Sequence, residues 1–87
     1  MTTVIAVHDV DNVEHWLSSP KRAEFFDAHG MSVKEFVSPE GKSRVGLIIE
    51  NVPSLEILTE ALQGADAAEA MKHDGVHPDS VELFVAS

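Results

Sequence analysis

An α+β fold ordered strand, helix, strand, strand, helix, strand is predicted by three features of this 87-residue chain. Four short runs are rich in β-branched residues, two longer segments carry apolar residues at helical spacing, and a Pro39-Glu40-Gly41-Lys42 turn joins the middle two runs. Thr2 to His8 (TTVIAVH), closed by Asp9, reads as a first strand buried on both faces. Asp11 stands three residues before Glu14, the spacing of a capping box with Asp in place of Ser or Thr, and Val13, Trp16 and Leu17 follow at helical spacing. Ser18, Ser19 and Pro20 interrupt that helix. Proline is tolerated in a first turn, so Ser19 is expected to cap a second segment that runs through Phe26 and stops at Gly30.

Ser32 to Ser38 (SVKEFVS) and Ser43 to Glu50 (SRVGLIIE) flank the turn and predict a hairpin. Pro53 and Ser54 open the next helix, where Leu55, Leu58 and Leu62 share a stripe with Ile57 and Ala61 beside it. Gly64 breaks the stripe, Asp66 is placed to cap a further turn, and Ala67, Ala68, Ala70 and Met71 carry the apolar face on to Gly75. In the last run, Ser80 to Ala86, Val81, Leu83 and Val85 alternate with Glu82, Phe84 and Ala86, a fourth strand. No linker, repeat or low-complexity tract divides residues 1–87, which read as a single domain.

Right-handed crossovers fold this βαββαβ order into one antiparallel sheet, order 4-1-3-2, with the helices on one face: the ferredoxin-like arrangement. With Val45, Leu47, Ile49, Val81, Leu83 and Val85 turned to the helices, Phe36, Ile48 and Phe84 project from the other face, with Glu50 and Glu82 among them. Monomers seldom keep such an apolar patch in water, so a second sheet is expected to cover it. A chain this short buries only about 60–65% of its unfolded surface, which also favours self-association.

Composition narrows the function classes. Fifteen acidic and six basic residues give a net charge of −9, a poor match for nucleic acid or an anionic membrane. The absence of cysteine removes disulfides, thiolate metal sites and cysteine nucleophiles. No leader pattern or membrane-length apolar run stands out, so a cytoplasmic location is expected. Phosphate-loop and dinucleotide motifs are absent as well; Gly41-Lys42-Ser43 lacks the upstream glycine and following helix of a phosphate loop. No cofactor is called.

The predicted topology gathers four of the five histidines at one end: His8 closing strand one, His15 in the first helix, His73 near the end of the second and His77 before strand four. With Asp9, Asp11, Glu14, Glu50, Asp74 and Asp79 they form a rim suited to acid/base chemistry or, as a weaker reading, to a divalent metal. No i, i+4 histidine pair supports a metal motif, and no metal is called. His73 is equally explained by the helix dipole, and His15 by solvent exposure. His8 reads either as a functional group or as a hydrogen-bonded structural residue. Glu50 and Glu82 read either as carboxylates made basic by an apolar sheet face or as edge residues; Glu82, flanked by Val81 and Leu83, is the more diagnostic. Trp16, Leu17, Phe25, Phe26 and Met31 read as core, and Gly46 as a bulge or a close approach.

The order of elements, the VEHWL start of the first helix and above all the segment AAEAMKHDGVHPDSVELFVAS at 67–87 resemble the dimeric α+β barrel superfamily, which includes the antibiotic biosynthesis monooxygenase-like and stress-responsive groups. The resemblance covers nearly the whole chain. It implies a homodimer paired sheet to sheet and a cavity between sheet and helices that holds a small organic molecule or haem. The Asn, Trp and His constellation of haem-degrading members has no counterpart here: the only tryptophan is Trp16, and the first strand lacks asparagine. With no tyrosine, a Tyr general acid is also missing. The expected site is then an apolar cavity ringed by Phe36, Ile48 and Phe84 beside Glu50, with His8 and Glu82 as catalytic handles. The chemistry would be cofactor-independent oxygenation, isomerisation or cyclisation of a small aromatic or polyketide-like compound. The alternative is a non-enzymatic dimeric scaffold or regulatory domain.

Overall fold

The computed structural model describes all 87 residues. Strand β1 (Thr2–Asp9) leads through helices α1 (Val13–Ser18) and α2 (Lys21–Ala28) to β2 (Ser32–Phe36) and β3 (Arg44–Val52). Helices α3 (Leu55–Leu62) and α4 (Ala65–Asp74) and a 3-10 turn at Pro78–Ser80 then precede β4 (Glu82–Val85). The sheet order is β2-β3-β1-β4, antiparallel throughout, which is the expected 4-1-3-2 order read from the other edge. Both crossovers are broken in two, at Ser19-Pro20 and at Gln63-Gly64, where proline and glycine interrupt the helical pattern.

Several caps differ from expectation. The α1 cap is Asn12, whose side chain accepts from the His15 amide, while Asp11 pairs with His77 instead. Pro20 caps α2 without a side-chain bond, although Ser19 Oγ accepts from the Lys21 amide at 3.2 Å. Ser54 caps α3 as expected, accepting from Ile57. Gly64, and not Asp66, caps α4. Gly75 ends α4 in the left-handed conformation at φ 74, and its carbonyl accepts from the Asp11 amide at 2.9 Å. An added Cβ there would meet Asp11 at 3.3 Å, so the residue must be small as well as left-handed.

The sheet register decides which side chains look inward. Val4 pairs with Ile49, Ala6 with Leu47 and His8 with Val45, and all six are buried under the helices. Ile5 and Val7 alternate onto the other face, where Ile5 is 47% exposed, so the first strand is buried on one face within the chain and not on both. Near the end of β3, Asn51 adopts φ 61 and the register shifts by one residue between the Thr2–Val52 and Val4–Ile49 pairs. That bulge returns Val52 to the buried side and carries the strand past Glu50, where the sequence pattern placed its end. Gly46 carries no bulge; it lies flat between Val7 and Phe36.

Trp16, Phe26, Met31 and Leu58 close the core from the helix side against Val4, Ile49 and Val52. Each such large buried apolar side chain contributes roughly 1.5–3 kcal/mol. Leu17 is about half exposed, contrary to its reading as core, and of the apolar stripe on α3 Leu55 and Ile57 are exposed while Leu58 is buried. No helix is long and apolar enough to cross a membrane.

Candidate functional site

A cavity lies between the helix-facing side of the sheet and the four helices. It contains about 590 Å³ of space, mouth included, and water-sized molecules can centre in about 70 Å³ of it. That is room for several waters or one small ring compound. Thirteen of its sixteen lining residues are apolar, among them Trp16, Leu47, Met71 and Leu83; the other three are His8, Arg22 and Asp74.

His8 enters this space because it shares the strand parity of Val4 and Ala6. It is 5% exposed and edge-on to Trp16, with ring centroids 5.7 Å apart. Its Nδ1 is fully buried and has no hydrogen-bond partner. Burial holds the imidazole below its usual range by penalising the charged form; the Asp9 backbone opposes this, Arg22 and Arg44 reinforce it, and the Asp9 carboxylate opposes it weakly. His8 is therefore neutral at neutral pH, with one ring nitrogen free to accept a proton.

Arg22, on α2, forms the opposite polar element. Its guanidinium lies 4.1 Å over the Trp16 ring centroid. Nε donates to Glu35 at 3.1 Å, and Nη1 donates to the Trp16 carbonyl at 3.1 Å and to Asp74 at 3.4 Å. Asp74 is buried at the C-terminal end of α4, and its other oxygen accepts from His73 Nδ1 at 2.9 Å. Ser19 Oγ also approaches His73 Nδ1, at 3.4 Å. Ser19, His73 and Asp74 therefore share a single ring nitrogen, and the relay of a nucleophilic triad, which needs both nitrogens, is absent.

The other candidates lie elsewhere. Glu82 is exposed and ion-paired with Arg44, which also reaches Asp9 at 3.3 Å, all on the open face of the sheet. Phe36, Ile48, Glu50 and Phe84 share that face with Ile5 and Val7. The sheet itself thus stands between His8 and the expected ring of Phe36, Ile48, Phe84 and Glu82, so these residues do not enclose one cavity. The reason is parity: His8 pairs inward with Val45, whereas Glu82 pairs with Val7 and Phe84 with Ile5. Of the histidine rim only His15 and His73 stay together, with ring centroids 5.4 Å apart. His15 donates to the His73 carbonyl at 2.7 Å, His77 pairs with Asp11, and His8 points inward; no group of three or more His, Asp or Glu side chains is arranged to hold a metal.

Arg22 was not singled out by the sequence reading. The available signal was its position four residues before Phe26, which puts both on one helical face.

Among solved structures the chain is similar to a crystal structure of an antibiotic biosynthesis monooxygenase, with a TM-score of 0.63 and 13% identity over 100% of this chain and 97% of that one. A second crystal structure, of a Bordetella bronchiseptica protein described as an antibiotic biosynthesis monooxygenase, matches with a TM-score of 0.69 and 18% identity over 99% of this chain and 94% of that one. The fold is therefore that of these monooxygenase structures. No protein-family model matches the sequence, and no curated protein matches it.

Proposed function

We propose that this chain, built on the fold of antibiotic biosynthesis monooxygenase structures, is a small-molecule-binding protein whose cavity admits a small aromatic compound. The reading rests above all on one observation: a buried, unpartnered His8 in an otherwise apolar cavity. An orphaned buried polar atom costs roughly 1–3 kcal/mol, a cost a ligand that bonded to it would relieve. Neutral His8 is also the group a cofactor-independent oxygenase, isomerase or cyclase needs to take a proton from its substrate.

The second half of the proposal is a homodimer formed through the open sheet face. Ile5, Phe36 and Phe84 are about half exposed there, with Ile48 between them. Lys34, Arg44, Asp9 and Glu82 border the patch with both signs of charge, as a self-complementary two-fold contact requires. In this reading Phe36, Ile48 and Phe84 serve pairing, and Glu82 with Arg44 serves its border.

Native mass spectrometry of untagged protein, followed by titration with small aromatic hydroxy compounds, tests both halves. A two-chain mass and saturable quenching of the single tryptophan, Trp16, in the cavity wall are expected. Loss of the quenching in His8→Ala, with the dimer intact, is expected too. A bare monomer would remove the pairing half, and unchanged binding in His8→Ala would remove His8 from the site.

A further inference from the structure

His15 and His73 stand 58 positions apart in the chain, yet α1 and the end of α4 bring their rings to 5.4 Å, centroid to centroid. Neither ring lines the cavity, and both are exposed, His73 at 44%. Each is held by its own hydrogen bond. Nε2 of His15 donates to the His73 carbonyl at 2.7 Å, and Nδ1 of His73 donates to the buried carboxylate of Asp74 at 2.9 Å. A carbonyl and a carboxylate only accept, so these bonds fix the tautomer of each neutral ring. The lone pairs are left on Nδ1 of His15 and Nε2 of His73.

An imidazole whose N–H is engaged by a carboxylate or a backbone carbonyl, with a lone pair left on its other nitrogen, has the arrangement of a metal-ligating histidine. Asp74 is itself anchored by Arg22 Nη1 at 3.4 Å, so the His73 ring is oriented from a buried support. The spacing of the rings selects the ion. A ring nitrogen about 2.0–2.1 Å from zinc puts its ring centroid roughly 3.2 Å from the metal, so two such rings have centroids about 5.2 Å apart at a tetrahedral angle and about 4.5 Å apart at a right angle. The observed 5.4 Å matches the tetrahedral case, which suits zinc, and exceeds the square arrangement preferred by copper(II) and nickel(II). Magnesium and calcium take oxygen ligands and gain nothing from two imidazoles.

We infer that His15 and His73 form a zinc site on the outside of the helical layer, with His15 Nδ1 and His73 Nε2 as its two protein ligands. No third His, Asp or Glu side chain joins them, so water completes the coordination. The consequence is mechanical. Trp16 and Asp74, the chain neighbours of the two ligands, both line the cavity, so an ion bridging α1 to the end of α4 ties together two parts of the cavity wall. The net charge of −9 draws divalent cations of every kind towards the chain, and only the paired imidazoles distinguish zinc among them. The site is independent of what the cavity binds.

The test titrates metal-free protein with zinc chloride by calorimetry and follows thermal unfolding with zinc or with magnesium at the same concentration. One zinc per chain is expected and, at free zinc about ten times the dissociation constant, a Tm raised by about 6 °C. Magnesium should move Tm by less than about 1 °C. His15→Ala and His73→Ala should each weaken zinc binding by about tenfold or more. His29→Ala, which removes an exposed ring bonded to the Phe25 carbonyl at the end of α2, should leave it unchanged. Should His73→Ala fail to fold, His15→Ala decides alone, because that ring lies in solvent. No zinc uptake below about 1 mM, one zinc per two chains, an equal rise with magnesium, a loss in His29→Ala, or affinity within about twofold of the unmodified protein in folded His15→Ala would each overturn the site.

Discussion

Because His8 is the one titratable group held clearly away from its ordinary range, it should impose a pH dependence on stability that can be worked out in advance. Its native pKa lies below the ordinary 6.5, through burial first. Above pH 6.5 the imidazole is neutral in both folded and unfolded chains and contributes no slope. Below 6.5 the unfolded chain takes up a proton that the native chain refuses, so stability falls with pH until the native pKa is reached. Within that window one unmatched proton costs about 1.4 kcal/mol per pH unit. For a domain of this size that is about 6–11 °C in Tm per unit. The assay is thermal unfolding of wild type and His8→Gln between pH 7.5 and 5, followed by Trp16 fluorescence. Subtracting the variant removes the contribution of the other four histidines and of the carboxylates. Wild type should lose stability relative to the variant as pH falls below 6.5, and the difference should be flat above 7. A difference independent of pH across the whole range would refute the placement of His8 in a dry interior.

Other expectations concern the scaffold. Leu58→Ala deletes a fully buried side chain and should cost about 2–5 kcal/mol in urea unfolding, whereas Ile57→Ala, one position away and half exposed, should cost less than about 0.5 kcal/mol; equal losses would contradict the assigned helix face. Ile48→Glu lies on the open sheet face proposed for pairing and is expected to sediment as folded monomer where the unmodified chain is expected to sediment as a dimer; a dimer that survives the change would refute pairing through this surface. Gly75→Ala places a Cβ at positive φ and 3.3 Å from Asp11, so a loss of about 1–2 kcal/mol is expected, read as a lower denaturant midpoint at unchanged slope.

Much of the architecture was legible in the sequence because punctuation and periodicity agreed. Gly41 turns the hairpin at φ 75, Ser54 caps α3 and Gly75 ends α4, each at the position its chemistry predicts. The site was less legible because it depends on parity across strands far apart in the chain. His8 and Glu82 each end or begin a strand near the same edge, and only the pairing of Val7 with Glu82 and of His8 with Val45 puts them on opposite faces. Arg22 was hidden for another reason: in Lys21-Arg22-Ala23-Glu24 it reads as one more charge on a solvated helix. Its burial needs Trp16, Glu35 and Asp74 to converge from three other elements, which no local pattern encodes.

The alternation along β1 has a consequence for how such a chain can change. Val4, Ala6 and His8 face the helices, Ala6 and His8 lining the chamber, and Ile5 and Val7 address the surface proposed for pairing. Substitution at an even position can therefore retune what the interior accepts and leave association untouched, and the converse holds at odd positions. Loss or gain of a single residue within the strand allows no such separation. It would send the imidazole out to the surface proposed for pairing and draw its neighbour, Val7 or Asp9, into its place, exchanging both vocabularies at once. The strand is open to point substitution and closed to frame slippage of its own.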